Sequence, residues 1–555
     1  MYTSWNILAA RRGVPQRVFG QVSAMCSTFR ESGGDDLSRE TENTRNTFPE
    51  IVTAPSGTAQ SSAAQSSAAQ SSDEKLLASM GYKQELSRRM SAFSNFSISF
   101  SIICILAGGI TAFPNGFTAA GGASIGVGWP LGVIFAVVVA LGMGQIASAF
   151  PTAGGLYHWS SILGGRGWGW ATAWFNLLGL VFVTASVNVG VYLLFRDLVL
   201  ANVFHVNVTA FGLPQQILAV LLITATQAFC NYRGIRLTTL LTDFSGSLIF
   251  VVATLLTIAL VVYAPSLDFS RLFTFHNYTG DAGGGVWPAT SSLPLAFLGG
   301  LILVCYTITG FDASAHTAEE TQDAARNVPR GMIQAVLYSS VFGFLMIAAF
   351  VLAIPNMDTA AKQGYGLFGW LMSGSAMPTV LKSFLYIGIV VANYICGLAA
   401  LTSTSRMIYA FSRDGGLPWS GWLKTVHPAY RTPGPAILVS GVLIFAATLY
   451  APAFAVLAAG SAVLLYISYI MPIAAGLLAE GKTWTHRGPF RLGAASKPVA
   501  VLGILGGLVL AYVGMRPPFG QVAYVVIGLT VALVVVWYAL EARRFSGPPA
   551  TRFQD

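Results

Sequence analysis

Charged side chains are scarce in this chain: Asp, Glu, Lys and Arg together make up 10% of its 555 residues. Soluble domains carry about 25%, so that scarcity excludes an ordinary soluble fold. Cysteine is also rare, with five (Cys26, Cys104, Cys230, Cys305 and Cys396), none at a metal-ligand spacing. Four of them lie in or beside apolar runs, where they read as packing residues, so neither a disulfide framework nor a metal site is expected. No phosphate-binding G-x-x-x-x-G-K-[ST] segment, no HExxH and no nucleophile motif occurs. The loops are too short for an ATPase domain, so no cofactor and no enzymatic activity are expected.

What the chain has is apolar length. Hydrophobic residues make up 54% of it and the mean hydropathy is +0.63. Windows of about 20 apolar residues cross a bilayer as helices. Twelve such spans are predicted near 94–120, 128–150, 168–199, 214–232, 236–264, 293–320, 331–355, 378–411, 434–451, 453–478, 498–515 and 521–541. The formal charge of +9 does not point to nucleic acid, because the basic residues sit in short loops between spans. Arg88 and Arg89, Arg233 and Arg236, Arg326 and Arg330, then Arg413, Lys424 and Arg431, then Lys482, Arg487, Arg491 and Lys497 fill every second loop. Arg543 and Arg544 follow the last span, while the Tyr263–Pro294 and Pro355–Pro378 loops hold few basic residues. The positive-inside rule then places both termini in the cytoplasm. Trp129, Trp168, Trp287 and Trp370 stand at span ends, as interfacial anchors do.

Residues 1–79 read as a separate, disordered cytoplasmic tail. Their start is arginine-rich, and AQSSAAQSSAAQSSDEK is polar and of low complexity, too polar to fold on its own. Residues 80–545 would form the membrane domain and 546–555 a second cytoplasmic tail.

Two spans are interrupted. The first carries Gly108-Gly109 and then Pro114-Asn115-Gly116; the sixth carries Thr309-Gly310-Phe311-Asp312. Glycine in a membrane helix commonly serves close packing. Interruptions at matching places in two halves of a chain instead point to a midplane binding site. A broken helix frees N–H and C=O groups that lipid cannot satisfy, and a substrate with an anionic and a cationic end can satisfy both. Asp312, His316, Glu319 and Glu320 follow at i, i+4, i+7 and i+8, one helix face. An intramembrane carboxylate costs roughly 2.5–3.5 kcal/mol on insertion scales. Asp312 either caps the half-helix after Gly310 or lines the site. His316 is a neutral, hydrogen-bonded residue or a proton relay. Glu319 and Glu320 either pair with Arg326, Arg330 or Arg406 near cytoplasmic water, or serve gating or proton transfer. Thr317–Glu320 also matches a capping box. Asn393, Thr402–Ser405, Ser186 and Asn188 are interhelical glue or line a path.

Three segments carry a resemblance. GFDASAHTAEET (Gly310–Thr321) with ARNVPRGM (Ala325–Met332), STSRMIYAFSRDGGLPWSGWLKTVHP (Ser403–Pro428) and FPTAGGLYHWSSILGG (Phe150–Gly165) resemble signatures of the amino acid/choline transporter family. This family belongs to the amino acid–polyamine–organocation superfamily, and the resemblance covers about residues 80–545. It implies an all-α LeuT-type fold, with spans 1–5 and 6–10 as inverted repeats and two further helices. It also implies secondary active transport of amino acids such as GABA or basic amino acids. By position, Gly108, Gly109, Ile110 and Thr111 would offer amides to a substrate carboxylate. Thr309, Gly310, Phe311 and Asp312 would offer carbonyls, or a carboxylate, to an amine, and Asn393 is a further substrate contact. The family usually has Tyr at the place of Phe311. Proton coupling is expected over sodium because Asp312, His316 and Glu319 can titrate. The expected partners are therefore a small-molecule substrate, H+ and the lipid of a plasma or bacterial inner membrane. A choline-type carrier, with Phe311, Trp174 and Tyr394 as an aromatic cage, and a non-translocating nutrient sensor are the alternatives.

Overall fold

The computed structural model describes residues 72–450 and 454–549. The described residues fold as helices without a strand; the only pairings of that kind are two isolated bridges, Met90 with Thr321 and Glu480 with Trp484. The first span is split into α1 (Ala92–Ile103) and α2 (Ile105–Ala120). There follow α3 (Gly128–Ala149), the short α4 (Gly155–Gly164), α5 (Arg166–Leu194), α6 (Leu213–Tyr232) and α7 (Ile235–Val262). The sixth span is in pieces: α8 (Leu293–Gly300), α9 (Ile302–Thr307) and α10 (Ala313–His316). Then come α11 (Ala324–Ala353), α12 (Thr379–Arg413), α13 (Gly434–Tyr450), α14 (Phe454–Ala479), α15 (Ser496–Gly514) and α16 (Gly520–Val536).

Among the described residues, ten helices are long and apolar enough to cross a bilayer. Leu293–Thr307 and Gly434–Tyr450, at the places expected for spans six and nine, are shorter apolar helices. The sixth is short because its helix stops at the unwound Ile308–Asp312 segment. Burial follows position. The first span's apolar window is 94% buried, whereas that of Gly520–Arg544 is 17% buried and turns its Val, Ile and Leu side chains outward.

The first span breaks at Cys104, with φ 25° and ψ 79°, and not at Gly108-Gly109 as the sequence led one to expect. Those glycines lie inside regular helix and permit close packing. A Cβ on Gly108 would come within 3.0 Å of the Thr307 Cα. One on Gly109 would meet only the Met346 Cε, at 2.9 Å, and the tip of Ile347. Backbone cannot yield as a side-chain end can. Gly108→Ala should therefore lower stability by about 1–3 kcal/mol, while Gly109→Ala should be close to neutral; thermal unfolding in detergent reads the difference.

Polar ladders join the spans. Asn188 of α5 donates to Thr224 and Gln227 of α6; Asn231 donates to Leu398 O, and Thr402 donates back to Asn231. Asn188 and Thr402 are thus interhelical glue, and Ser403, Thr404 and Ser405 donate to carbonyls of their own helix. Of the four expected tryptophan anchors, Trp168 is 42% exposed and Trp370 half-buried. Trp129 and Trp287 are instead buried and donate to Ser340 O and Asn115 O.

Of the expected tail over 1–79, only residues 72–79 are described. Residues 72–79 are helical, and buried Asp73 accepts the Asp323 and Ala324 amides at the start of α11. Residues 1–71, with nearly all of the low-complexity repeat, lie outside the described residues. At the other end Phe545 is buried against Phe411 and Tyr157. Gly547 and Pro548 are buried too, and Pro549 touches Gly81.

Candidate functional site

The two breaks face each other. Gly310, at φ +83°, leaves room for Ile102: a Cβ there would lie 2.2 Å from the Ile102 Cγ2. Only glycine combines that backbone with that approach. The unwound segment's polar groups are taken up by neighbouring helices. Tyr466 donates to Ile308 O, the Gly310 amide donates to the Tyr469 hydroxyl, and Ser99 donates to Phe311 O. Among the described residues none donates to the Thr309 carbonyl. On the other strand of the crossing, α2 starts at Ile105, and an α-helix leaves its first amides without internal partners. The Ala107 and Gly108 amides already turn back to Cys104 O. The amides free for an anion are therefore Ile105 and Leu106, not the expected Gly108–Thr111. Ile110 is buried in α2, and Thr111 donates its hydroxyl to Ala107 O.

Asp312 is fully buried and saturated. Its carboxylate accepts from Asn176 at 3.0 Å and Tyr469 at 2.8 Å, and meets the His316 Nε2 at 3.1 Å. Its side chain caps no helix; the Tyr469 hydroxyl receives the freed Gly310 amide instead. Phe311 packs its ring 4.9 Å from that of Tyr469. Neither Asn176 nor Tyr469 was singled out from sequence, because an isolated Asn or Tyr in a span carries no spacing signal.

His316 lies between two acceptors, the Asp312 carboxylate and the Ala153 carbonyl, which is 3.4 Å from Nδ1. A neutral imidazole has one N–H and cannot donate to both. Both contacts are satisfied when the pair holds one extra proton, either on the imidazole or on the carboxyl. With that proton removed, one of the two contacts becomes a lone pair facing an oxygen.

The expected single face of Asp312, His316, Glu319 and Glu320 is not formed. The helix ends at His316, a 3-10 turn covers Ala318–Glu320, and Thr317 bonds Ala313 O without making a capping box. Glu319 and Glu320 do not sit near water; both are 0% exposed. Glu320 makes a two-pronged pair with Arg406, at 3.0 and 3.1 Å. Glu319 makes another with Arg413, at 3.0 Å in both contacts, and accepts the Ala153 amide. Arg326 pairs with Asp323 instead. A line of contacts thus runs Asp312, His316, Ala153, Glu319, Arg413. The segment preceding α1 closes over it. Arg88 donates to Ala318 O and Thr321 O, Gln84 donates to Glu319 O, and Tyr82 and Tyr157 both donate to Asp414. Arg413 stacks on the Tyr82 ring at 3.8 Å.

His158, in α4 outside the spans, packs edge-on to Tyr82 and shares a hydrogen bond with Thr152. Burial, with help from the nearby Arg413, pushes it down to about 3. An unfolded histidine titrates near 6.5, so between those values the unfolded chain holds a proton that the folded one refuses. The stability this neutral residue contributes at pH 7 is lost as pH falls from 6.5 toward 3. A His158→Gln variant should show a shallower fall in melting temperature between pH 7 and pH 4.5 than the parent protein.

The Asn393 side-chain amide is 1% exposed, and neither its oxygen nor its nitrogen has a partner among the described residues. It faces Gly190 and Phe454, and Ser186, one turn from Gly190, bonds the Tyr306 hydroxyl. The three residues of the supposed aromatic cage do not converge. Phe311 packs on Tyr469, Trp174 on Trp170 and Phe411, and Tyr394 bonds Thr226.

Comparison with known proteins agrees with this architecture. The amino acid permease family profile matches residues 90–538. The chain is 34% identical over 505 residues to the amino-acid permease BAT1 of Arabidopsis thaliana, covering 86% of this chain and 96% of that protein. It is 30% identical over 383 residues to the GABA-specific permease of Saccharomyces cerevisiae, covering 67% and 65%. A putative polyamine transporter of Candida albicans is 24% identical, covering 87% and 90%. With these matches and a helical bundle broken at two facing spans, the chain belongs to the amino acid permease family.

Proposed function

We propose that this permease is a proton-coupled secondary active transporter that moves an amino acid, such as GABA or a basic amino acid, by alternating access. The observation that carries the reading is the crossing of the two breaks. The Ile105 and Leu106 amides at the positive end of α2 suit a carboxylate, and the unbonded Thr309 carbonyl suits an amine. Asn393 would meet the substrate's remaining polar atoms with a donor and an acceptor. Asp312 has no oxygen to spare for the amine, so its role is to hold His316, and the pair carries the coupling proton. The two glutamate–arginine pairs and the 82–90 segment form the gate on the N-terminal face, which is the cytoplasmic face by its arginines. Glu319 serves this gate rather than carrying the proton. The names of the GABA-specific and polyamine relatives both support an amine-bearing cargo. The second of them favours, as the other reading, an organic amine without a carboxylate.

Uptake by purified protein in liposomes tests this. Labelled GABA, arginine, glutamate, choline and spermidine would be offered with and without an inward proton gradient. Saturable, gradient-driven uptake of an amino acid is the expected result. Preference for choline or spermidine would replace the carboxylate reading. Saturable uptake indifferent to the gradient would remove the proton, and binding without uptake would make the protein a sensor.

A further inference from the structure

The corner where α6 ends and α13 begins carries chemistry that transport does not use. These two helices pack along each other, and the loop after α12 lies over their ends, with His427 edge-on to Tyr232 at 5.4 Å. Between them runs an open groove of about 670 Å³. Its walls are Phe229 and Tyr232 of α6, Trp422 and Val426 of the loop, and Ile437 and Leu438 of α13. The groove continues into helix faces that look outward. Leu222 lies two turns before Phe229 and Val442 one turn after Leu438, on the same faces, and both are exposed. The apolar window of α6 is only 17% buried, so this side of the bundle meets acyl chains.

The rim of the groove carries cations without counter-ions. Arg233 lies 5.6 Å from the Phe229 ring and 5.8 Å from that of Tyr430, at the mouth. Lys424 stands between the groove residues Trp422 and Thr425, and Arg236 begins α7. All three are exposed and, among the described residues, form no ion pair, whereas Arg326, Arg487 and Arg544 each have a carboxylate partner. No Asp or Glu occurs from 198 to 242 or from 415 to 479. Glu85, whose carbonyl Arg431 reaches, gives its carboxylate to Tyr409. Trp419 and Trp422, 81% and 49% exposed, are placed as side chains at a membrane–water boundary are.

We propose that this corner binds one anionic phospholipid, its acyl chain in the groove between α6 and α13 and its phosphate on Arg233 and Lys424. Each part of the ligand has its match. The apolar walls join lipid-facing helix surface, so a chain enters sideways from the bilayer without crossing water. The unpaired cations stand at the same end, and basic pockets between spans hold anionic head groups. Arginine binds phosphate with a planar fork and lysine as a point charge. A loop whose basic residues only report orientation would need no groove and would not distinguish one lipid from another. Binding to the folded chain alone also stabilises it by mass action.

The test uses the full-length protein in mild detergent, titrated with phosphatidylglycerol and with phosphatidylcholine of the same chains. Native mass spectrometry counts the bound lipid and thermal unfolding follows its effect, and neither depends on the transport reading. One phosphatidylglycerol should be retained, roughly tenfold or more tighter than phosphatidylcholine, and it should raise the melting temperature further. Arg233→Gln/Lys424→Gln should weaken phosphatidylglycerol roughly 30-fold, as for two basic residues at an anionic lipid, and leave phosphatidylcholine unchanged. Arg326→Gln/Lys497→Gln, an equal loss of charge elsewhere, should alter neither. Trp422→Ala should weaken both lipids, because it removes a wall of the groove. Inorganic phosphate and chain-free glycerophosphoglycerol should not compete. Equal binding of the two lipids, equal losses in the two double variants, or competition by the chain-free compounds would overturn the proposal. So would a lipid-independent dimer that Trp422→Ala dissolves, which would give the groove to a second copy. Should the Arg233→Gln/Lys424→Gln protein fail to fold, photocrosslinking of a phosphatidylglycerol probe to the wild type decides, with labels expected within 229–236 and 422–438.

Discussion

An Asp312→Asn permease should reach the membrane folded yet lose gradient-driven uptake by roughly 30- to 150-fold, equivalent to about 2–3 kcal/mol for hydrogen bonds to a charged group. Folding should survive because the amide can present its oxygen to Asn176 and His316 and its nitrogen to the Tyr469 hydroxyl, which also accepts. What disappears is the negative charge beside His316, on which the proposed coupling proton depends. Substrate exchange at equal pH on both sides should suffer less than gradient-driven uptake, because only the latter would need the proposed proton cycle. Wild-type uptake by a well-expressed Asp312→Asn protein would refute the central role given to this carboxylate.

Breaking the Glu320–Arg406 pair should unfold the protein far more readily than any surface change. Both side chains are 0% exposed, so Glu320→Gln alone strands a guanidinium and Arg406→Met alone strands a carboxylate. Removing one partner of a buried pair costs about 3–5 kcal/mol, whereas replacing both can be neutral. The Glu320→Gln/Arg406→Met double variant should therefore recover most of the melting temperature that either single variant loses. Arg326→Ala provides the contrast. Its contact with Asp323 is 3.5 Å long and 59% and 40% exposed, so its loss should cost about 0–1 kcal/mol. Equal melting temperatures for the Glu320→Gln, Arg326→Ala and parent proteins would contradict the buried-pair account.

Composition and apolar windows made the membrane class and most spans legible in sequence, since bilayer thickness fixes helix length. The two interrupted spans were legible as well, but the place of the first break was not. Gly108-Gly109 is the stronger local signal for irregular backbone, yet the chain breaks at Cys104, a residue with no such preference. Tertiary packing of Gly108 on Thr307 needs a regular helix there, and it overrides the local signal. The same limit applies at Asp312. A carboxylate in a span announces a function, but its saturation by Asn176 and Tyr469 depends on three helices meeting. Glu319 and Glu320 were placed on one face with Asp312 by assuming an unbroken helix, and the turn at Thr317 sends them toward α12 instead. Where several helices converge, spacing along one of them says little.

Ala153 ties the two ends of this arrangement together. Its amide is held by Glu319, which belongs to the proposed gate, and its carbonyl faces His316, with Gly154 and Gly155 following directly. Opening the gate by drawing Glu319 away with Arg413 would free one side of this residue, and two glycines give the backbone liberty to swing the other. His316 would then lose an acceptor at the moment the inner path opens. By thermodynamic reciprocity the reverse must hold by the same factor: a proton on the pair raises the work of opening the gate, as an open gate weakens the hold on the proton. A single alanine, unremarkable in the sequence, would thus act as the clutch that keeps protons from crossing while the inner path stays shut.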